Sequence, residues 1–145
     1  MRKAAGFTLL ELIIVLAIGA VIYTLILGIP FRGATSADLK AAARSLASGL
    51  RQAQTTAMAT RHDASLVLDL DARQFTIPGD AQPRKLPSGI DLKLYTAESE
   101  VTSEKRGGIR FYPDGSSTGG RITVSAGERK FLVDVDWLTG RVSIE

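Results

Sequence analysis

Cysteine is absent from the 145 residues. That removes a disulfide scaffold, a thiolate zinc site and a cysteine nucleophile. Histidine occurs once, as His62, and tryptophan once, as Trp137. A lone histidine without cysteine supplies neither a zinc ligand set nor a base-and-nucleophile pair. His62 stands between Arg61 and Asp63 and is expected on the surface, near a helix end that favours a cation. An excess of one charge is lacking too: the formal net charge is +3. Without Arg2 and Lys3, at the very start, basic residues outnumber acids by only one. The basic isoelectric point is therefore no argument for a nucleic-acid partner. No enzymatic set of residues is apparent, and no cofactor or metal is expected.

What the chain does have is an uninterrupted apolar run. Leu12 to Phe31 is twenty residues without a charge. As a helix at about 1.5 Å per residue it covers roughly 30 Å, a bilayer core. Arg2 and Lys3 before it predict that this end stays in the cytoplasm, with the C-terminal part across the membrane. That part, from Arg32 onward, is long enough to bury about 60–65 % of its unfolded surface. Two readings of the N-terminus are ordinary. One is a cleaved secretory signal, with Ala17-Ile18-Gly19 offering small residues; the other is a plain signal anchor. Against the first, the run exceeds the usual signal length and an acid stands at its start.

The third reading rests on Gly6-Phe7-Thr8-Leu9-Leu10-Glu11. A short basic leader, a glycine, an aromatic residue, a glutamate five positions after the glycine and an apolar helix together resemble the class III leader of type IV pilins and pseudopilins. The resemblance implies cleavage between Gly6 and Phe7 by a prepilin peptidase, then N-methylation of Phe7. It also assigns Glu11 a role in subunit assembly and register. Physics supports that role on its own terms, because an acid in a membrane helix costs a few kcal/mol at the centre and less near an end. After cleavage Glu11 would lie only about 6 Å along the helix from the new amine. In a bundle of staggered helices it would meet the Phe7 ammonium of a neighbouring subunit. The bland alternative is an acid that snorkels to the wet membrane surface.

Downstream, Gly28-Ile29-Pro30 predicts a kink or break, and Ser36 is a candidate N-cap. From Asp38 to about Thr60, Leu39, Ala43, Leu46, Leu50, Ala53 and Ala57 recur at helical spacing. That stripe is expected to pack on the chain's own sheet, the other reading being a seam between subunits. After His62, short alternating segments predict about six or seven antiparallel strands. Loops are expected at Pro78–Lys85, Ala97–Gly108 and Pro113–Gly120, and turns at 71–73, 126–129 and 138–140. The predicted organisation is leader 1–6, transmembrane helix 7–31, amphipathic continuation of the spine helix 32–62 and a β-rich periplasmic head 63–145.

The C-terminal half narrows the resemblance. Phe111-Tyr112-Pro113-Asp114-Gly115-Ser116-Ser117-Thr118-Gly119-Gly120, an Ile-Thr-Val strand, and Trp137-Leu138-Thr139-Gly140-Arg141-Val142 resemble the GspH/FimT branch. Within it the chain is similar to the H-type minor pseudopilins of the type II secretion system. The implied fold is α+β and pilin-like: a long N-terminal helix, its first half transmembrane, packed on an antiparallel β head of two small sheets. The implied role is a non-enzymatic subunit, anchored in the inner membrane, that links the pseudopilus tip complex to its shaft and supports export of folded proteins. Implied partners are the prepilin peptidase, other minor pseudopilins, the major pseudopilin, the inner-membrane assembly platform and membrane lipid. The rival is a minor pilin of a type IV pilus, in assembly priming or DNA uptake. Some relatives bind DNA through clustered C-terminal arginines, whereas Gly140 to Glu145 here holds one arginine and an acid.

Other constellations are weak. The Asp114–Gly120 loop lacks the Gly-Lys-Ser/Thr ending of a phosphate cradle. Asp114 and Ser116 in it are candidate partner contacts. The pairs Asp69/Asp71 and Asp134/Asp136 could approach calcium, but a solvated strand face is the simpler reading. Trp137 is expected in the core, with an interface anchor as the alternative.

Overall fold

The computed structural model describes residues 7–27 and 34–145. The expected cleavage residue Gly6 and the expected break at Gly28-Ile29-Pro30 lie outside them. The chain forms two compact units, residues 1–32 and 33–145, which are described separately.

The first unit contains helix α1, Leu9–Leu27. Every described side chain from Phe7 to Tyr23 is exposed. Its 19 residues give about 28 Å, just under the roughly 30 Å of a bilayer core. Among the described residues, no helix is by itself long and apolar enough to cross a membrane.

The second unit opens with α2, Ser36–Thr60. Alanine is the commonest residue in it, and alanine forms helix best. The N-cap is Thr35, one residue before the expected Ser36. Thr35 Oγ1 accepts from the Asp38 amide at 3.2 Å, and Asp38 Oδ2 accepts from the Thr35 amide at 2.9 Å. This reciprocal pair satisfies two helix-end donors. At the other end Arg61, with φ of 56°, takes the left-handed conformation that stops the helix. His62 is exposed there, its Nδ1 2.7 Å from the Thr60 carbonyl.

Among the described residues nine strands follow: β1 Ala64–Asp69, β2 Gln74–Thr76, β3 Arg84–Lys85, β4 Asp91–Thr96, β5 Val101–Ser103, β6 Arg106–Phe111, β7 Gly120–Ala126, β8 Arg129–Val135 and β9 Val142–Ile144. They make two antiparallel sheets, ordered β3-β2-β1-β6-β5 and β4-β7-β8-β9. The expected loops at 78–85 and 97–108 are therefore wrong in part. Each contains a short edge strand, and residues 98–100 form a single 3-10 turn. Such pieces are polar and too short to show alternation, and pairing with a neighbouring strand creates them.

The predicted α2 stripe is buried in its own domain: Leu39, Ala43, Leu46, Leu50, Ala53 and Ala57 are all fully covered. They pack on β1 and β6 of the first sheet and on β7, β8 and β9 of the second. Leu66, Leu68, Phe75, Ile109, Phe111, Ile122, Val124 and Val133 complete the core. Gly49 sets the helix-to-sheet distance, because a Cβ there would stand 2.6 Å from the Phe75 ring.

Candidate functional site

Two regions carry the site residues expected from sequence. In the first unit, Thr8 caps α1. Its Oγ1 accepts from the Glu11 amide at 3.2 Å and its carbonyl from Leu12 at 3.2 Å. Glu11 therefore lies in the first turn, the one acid in α1, where a carboxylate favours the helix dipole. Phe7 stands before the cap, 84 % exposed.

The second region forms where the two C-terminal signature segments meet. The loop after β6 is pinned by Asp114, whose Oδ1 accepts from the Ser116 amide at 3.0 Å and the Ser116 hydroxyl at 2.6 Å. The turn after β8 is pinned by Asp136. Its Oδ1 accepts from the amides of Leu138 at 3.0 Å and Thr139 at 2.8 Å and from the Thr139 hydroxyl at 2.9 Å. These donors favour the ionised carboxyl. The Ser116 hydroxyl and amide hold Asp114 below the ordinary aspartate value, and the Thr139 amide and hydroxyl do the same for Asp136.

Ser117 and Gln54 join the two segments. The buried Ser117 receives a bond at its hydroxyl from Gly119 at 2.9 Å and donates to the Asp136 carbonyl at 3.2 Å. Its amide donates to the Trp137 carbonyl at 2.9 Å. From α2, Gln54 Nε2 donates to the Gly115 carbonyl at 2.8 Å and to the Thr139 carbonyl at 3.3 Å. Gly140, with φ of +64°, fits between them; a Cβ there would stand 2.1 Å from the Gly115 carbonyl oxygen and 2.4 Å from Gln54 Nε2. Ser117 stands in a signature segment that gives it no role of its own, and Gln54 carries no local signal. Gln54 lies off the apolar stripe, and its partners are 61 and 85 residues away.

This platform presents Trp137 at 66 % exposure and Leu138 at 63 %. The expectation of a core tryptophan is thus corrected. Val133 and Val135 take the inward positions of β8, and Trp137 follows in a turn held open by Asp136. The site brings together Asp114, Ser116 and Trp137 on joined loops; Phe7 and Glu11 belong to the other unit.

Three of the four paired acids have a basic side chain nearby. Asp69 faces Arg106 at 3.9 Å, Asp71 faces Lys105 at 3.0 Å, and Asp134 faces Arg121 at 2.6 Å. Among the described residues, no group of three or more potential ligands converges on a metal position. In the Asp114 loop the carboxylate takes the Ser116 amide and the Tyr112 carbonyl takes the Gly115 amide, so neither donor is left for a phosphate.

Residues 42–139 match the family described as type II transport protein GspH. Residues 1–27 match the prokaryotic N-terminal methylation motif. A curated relative, type II secretion system protein H of Xanthomonas campestris pv. campestris, is 31 % identical over 141 residues, covering 97 % of this chain and 83 % of the relative. Among solved structures, the minor pseudopilin EpsH of the Vibrio cholerae type II secretion system superposes with a TM-score of 0.61 at 14 % identity. That match covers 77 % of this chain and 98 % of EpsH. The Pseudomonas aeruginosa type IV minor pilin FimU gives 0.52 at 19 % identity, covering 74 % of this chain and 92 % of FimU. At such identities the structural likeness shows the fold alone. The match over most of the head, with a relative aligned along nearly the whole chain, places this protein in the GspH family, the H-type minor pseudopilins of type II secretion.

Proposed function

We propose that this chain is a non-enzymatic pseudopilus subunit, held in the inner membrane by a single span running from Phe7 to Phe31 with its head in the periplasm. A prepilin peptidase removes residues 1–6, and the new Phe7 amine is methylated. In the assembled pseudopilus the subunit joins the tip complex of minor pseudopilins to the shaft of major ones. It contributes to export of folded proteins through that contact, and the work is done by an energy source outside the chain.

The observation that carries the reading is the surface of α1: apolar and exposed over its described side chains, with a lone acid in the first turn. So large an uncovered apolar surface needs lipid or like helices around it. In that setting Glu11 gains most by meeting the Phe7 ammonium of a neighbour. A close pair is worth about 4 kcal/mol at an intermediate effective dielectric, and half a pair is a net cost. One axial register then wins over its alternatives. Trp137, with Asp114 and Ser116 on the adjoining loop, is proposed to touch a second subunit. The pilus reading is less favoured, since the relative that spans the chain belongs to type II secretion.

The test is Glu11→Ala in cells carrying the chain's own secretion system. Leader removal, read as the mass of the mature protein, is expected to continue. Incorporation and secretion are expected to fall at least about tenfold, the loss that 1.4 kcal/mol would produce. Normal secretion by this variant would refute the register argument.

A further inference from the structure

The apolar stripe of α2 is used up inside its own domain, so a different flank of this helix looks outward. That flank carries Lys40, Arg44 and Arg51, all exposed. Their spacings of four and seven residues place them along one line of the helix. The only acid of α2, Asp38, lies about 160° round the helix from Lys40, at about 100° per residue. It is occupied by Thr35.

Several other cations of the head are paired. Arg84, Lys105, Arg106, Arg110 and Arg121 each face a carboxylate. Among the described residues Lys40, Arg44 and Arg51 face none, and the sequence outside the described residues contains no acid. Arg51 donates instead to the neutral Val142 carbonyl at 3.1 Å. Arg129, on the adjoining rim of the second sheet, donates to the Ser36 hydroxyl. Both keep their charge uncompensated while their positions are fixed. Lys130 and Glu128 flank Arg129 there, while Arg141 stands at the other end of β8, beside Asp136. Of the exposed acids, Asp91 opens β4, the edge strand opposite β9, and Glu98 follows that strand. Like charges four apart, such as Lys40 and Arg44, weaken a helix. The fold gains nothing from them; a complementary surface would.

We propose that this flank of α2 seats an acidic surface of an adjacent, different pseudopilin, whose carboxylates complete ion pairs with Lys40 and Arg44. The inference rests on the assembly reading above. Such a contact sets orientation and the rate of encounter more than affinity. The small exposed residues beside the cations, Ala37, Ala41 and Ser48, let the partner come close.

Because the chain has no cysteine, one can be introduced alone. The experiment uses the full chain with Ala41→Cys, coupled to a short cross-linker, in cells making the complete secretion system. The expected product is an adduct with another processed pseudopilin through a peptide rich in aspartate and glutamate. Lys40→Glu with Arg44→Glu should lower its yield about tenfold, and acid-to-lysine changes in the cross-linked peptide should restore it. The restoration shows that the reversed chain still folds. An unchanged yield, an adduct with a peptide lacking acids, with lipid or with a second copy of this chain, or no adduct at all, would overturn the proposal. Deletion of the chain distinguishes the two readings. If secretion continues without it, the assembly reading fails; if secretion stops but charge reversal does nothing, only the docking flank is wrong.

Discussion

Replacing Gly140 by alanine probes the joint between the two C-terminal segments most directly. The residue is buried, with φ of +64°, and an added Cβ would fall 2.1 Å from the Gly115 carbonyl oxygen. Left-handed backbone costs a non-glycine residue roughly 1–2 kcal/mol. Overpacking adds about 1–3 kcal/mol. Displacing Gln54 weakens two hydrogen bonds, at about 1 kcal/mol each. The effects overlap, so the expected loss is about 3–5 kcal/mol, a large share of the roughly 5–15 kcal/mol that holds a domain. For a head of this size that is a fall in Tm of about 12–20 °C. The chain in detergent, followed by circular dichroism, gives the Tm. Fluorescence of Trp137, the sole tryptophan, reports the turn itself. The clash is with backbone as well as with a side chain. Adding Gln54→Ala should therefore leave most of the loss in place. A Gly140→Ala protein melting within about 4 °C of the parent, less than 1 kcal/mol by the same scale, would refute this account of the joint.

Thr35→Ala should cost about 1 kcal/mol through the lost cap, visible as a lower urea midpoint, and Thr35→Ser should recover most of it. Asp38 and Asp136 are held below their ordinary value of 3.8, each chiefly by a backbone amide, of Thr35 and Thr139 respectively. Their contribution to stability is present above about pH 3.8 and is lost as the pH falls through the lower folded-state values. Asp136→Asn should reduce the fall in urea midpoint between pH 6 and pH 2.5; an unchanged difference would exclude Asp136 from the acid response. Trp137→Ala should shift stability by no more than about 0.5 kcal/mol, since the side chain is 66 % exposed. Co-purification with the other pseudopilins should nevertheless drop severalfold, and unaltered co-purification would remove Trp137 from the contact.

Much of the head was legible because its signals are local. The spacing from Leu39 to Ala57 predicted a helix from its own residues, and every member of that stripe is buried. Leu66, Leu68 and Leu70 alternate with Val67, Asp69 and Asp71, which predicts a strand; Leu66 and Leu68 are buried in β1, and Leu70 lies just past its end. The cap moved by one residue because Thr35 and Ser36 are chemically alike, and the reach of Asp38 decides between them. β3 and β5 were missed for another reason. Arg84–Lys85 and Val101–Ser103 have no pattern of their own, and each became a strand only when a partner edge was laid beside it.

Trp137 and Gln54 mark the boundary between the two kinds of knowledge. By itself the sequence determined the anchor-like run with Glu11 at its head, the alanine-rich helix, the alternating strands and the two signature segments. Each of these is written in spacings of a few residues, over which backbone geometry is nearly constant. Only the tertiary structure decided the order of strands in two sheets, the meeting of Gly115 with Thr139 over Gln54, and the outward side of Trp137. Those depend on which distant surfaces cover one another. Burial and hydrogen bonding between residues 61 to 91 apart leave no periodic trace in the chain.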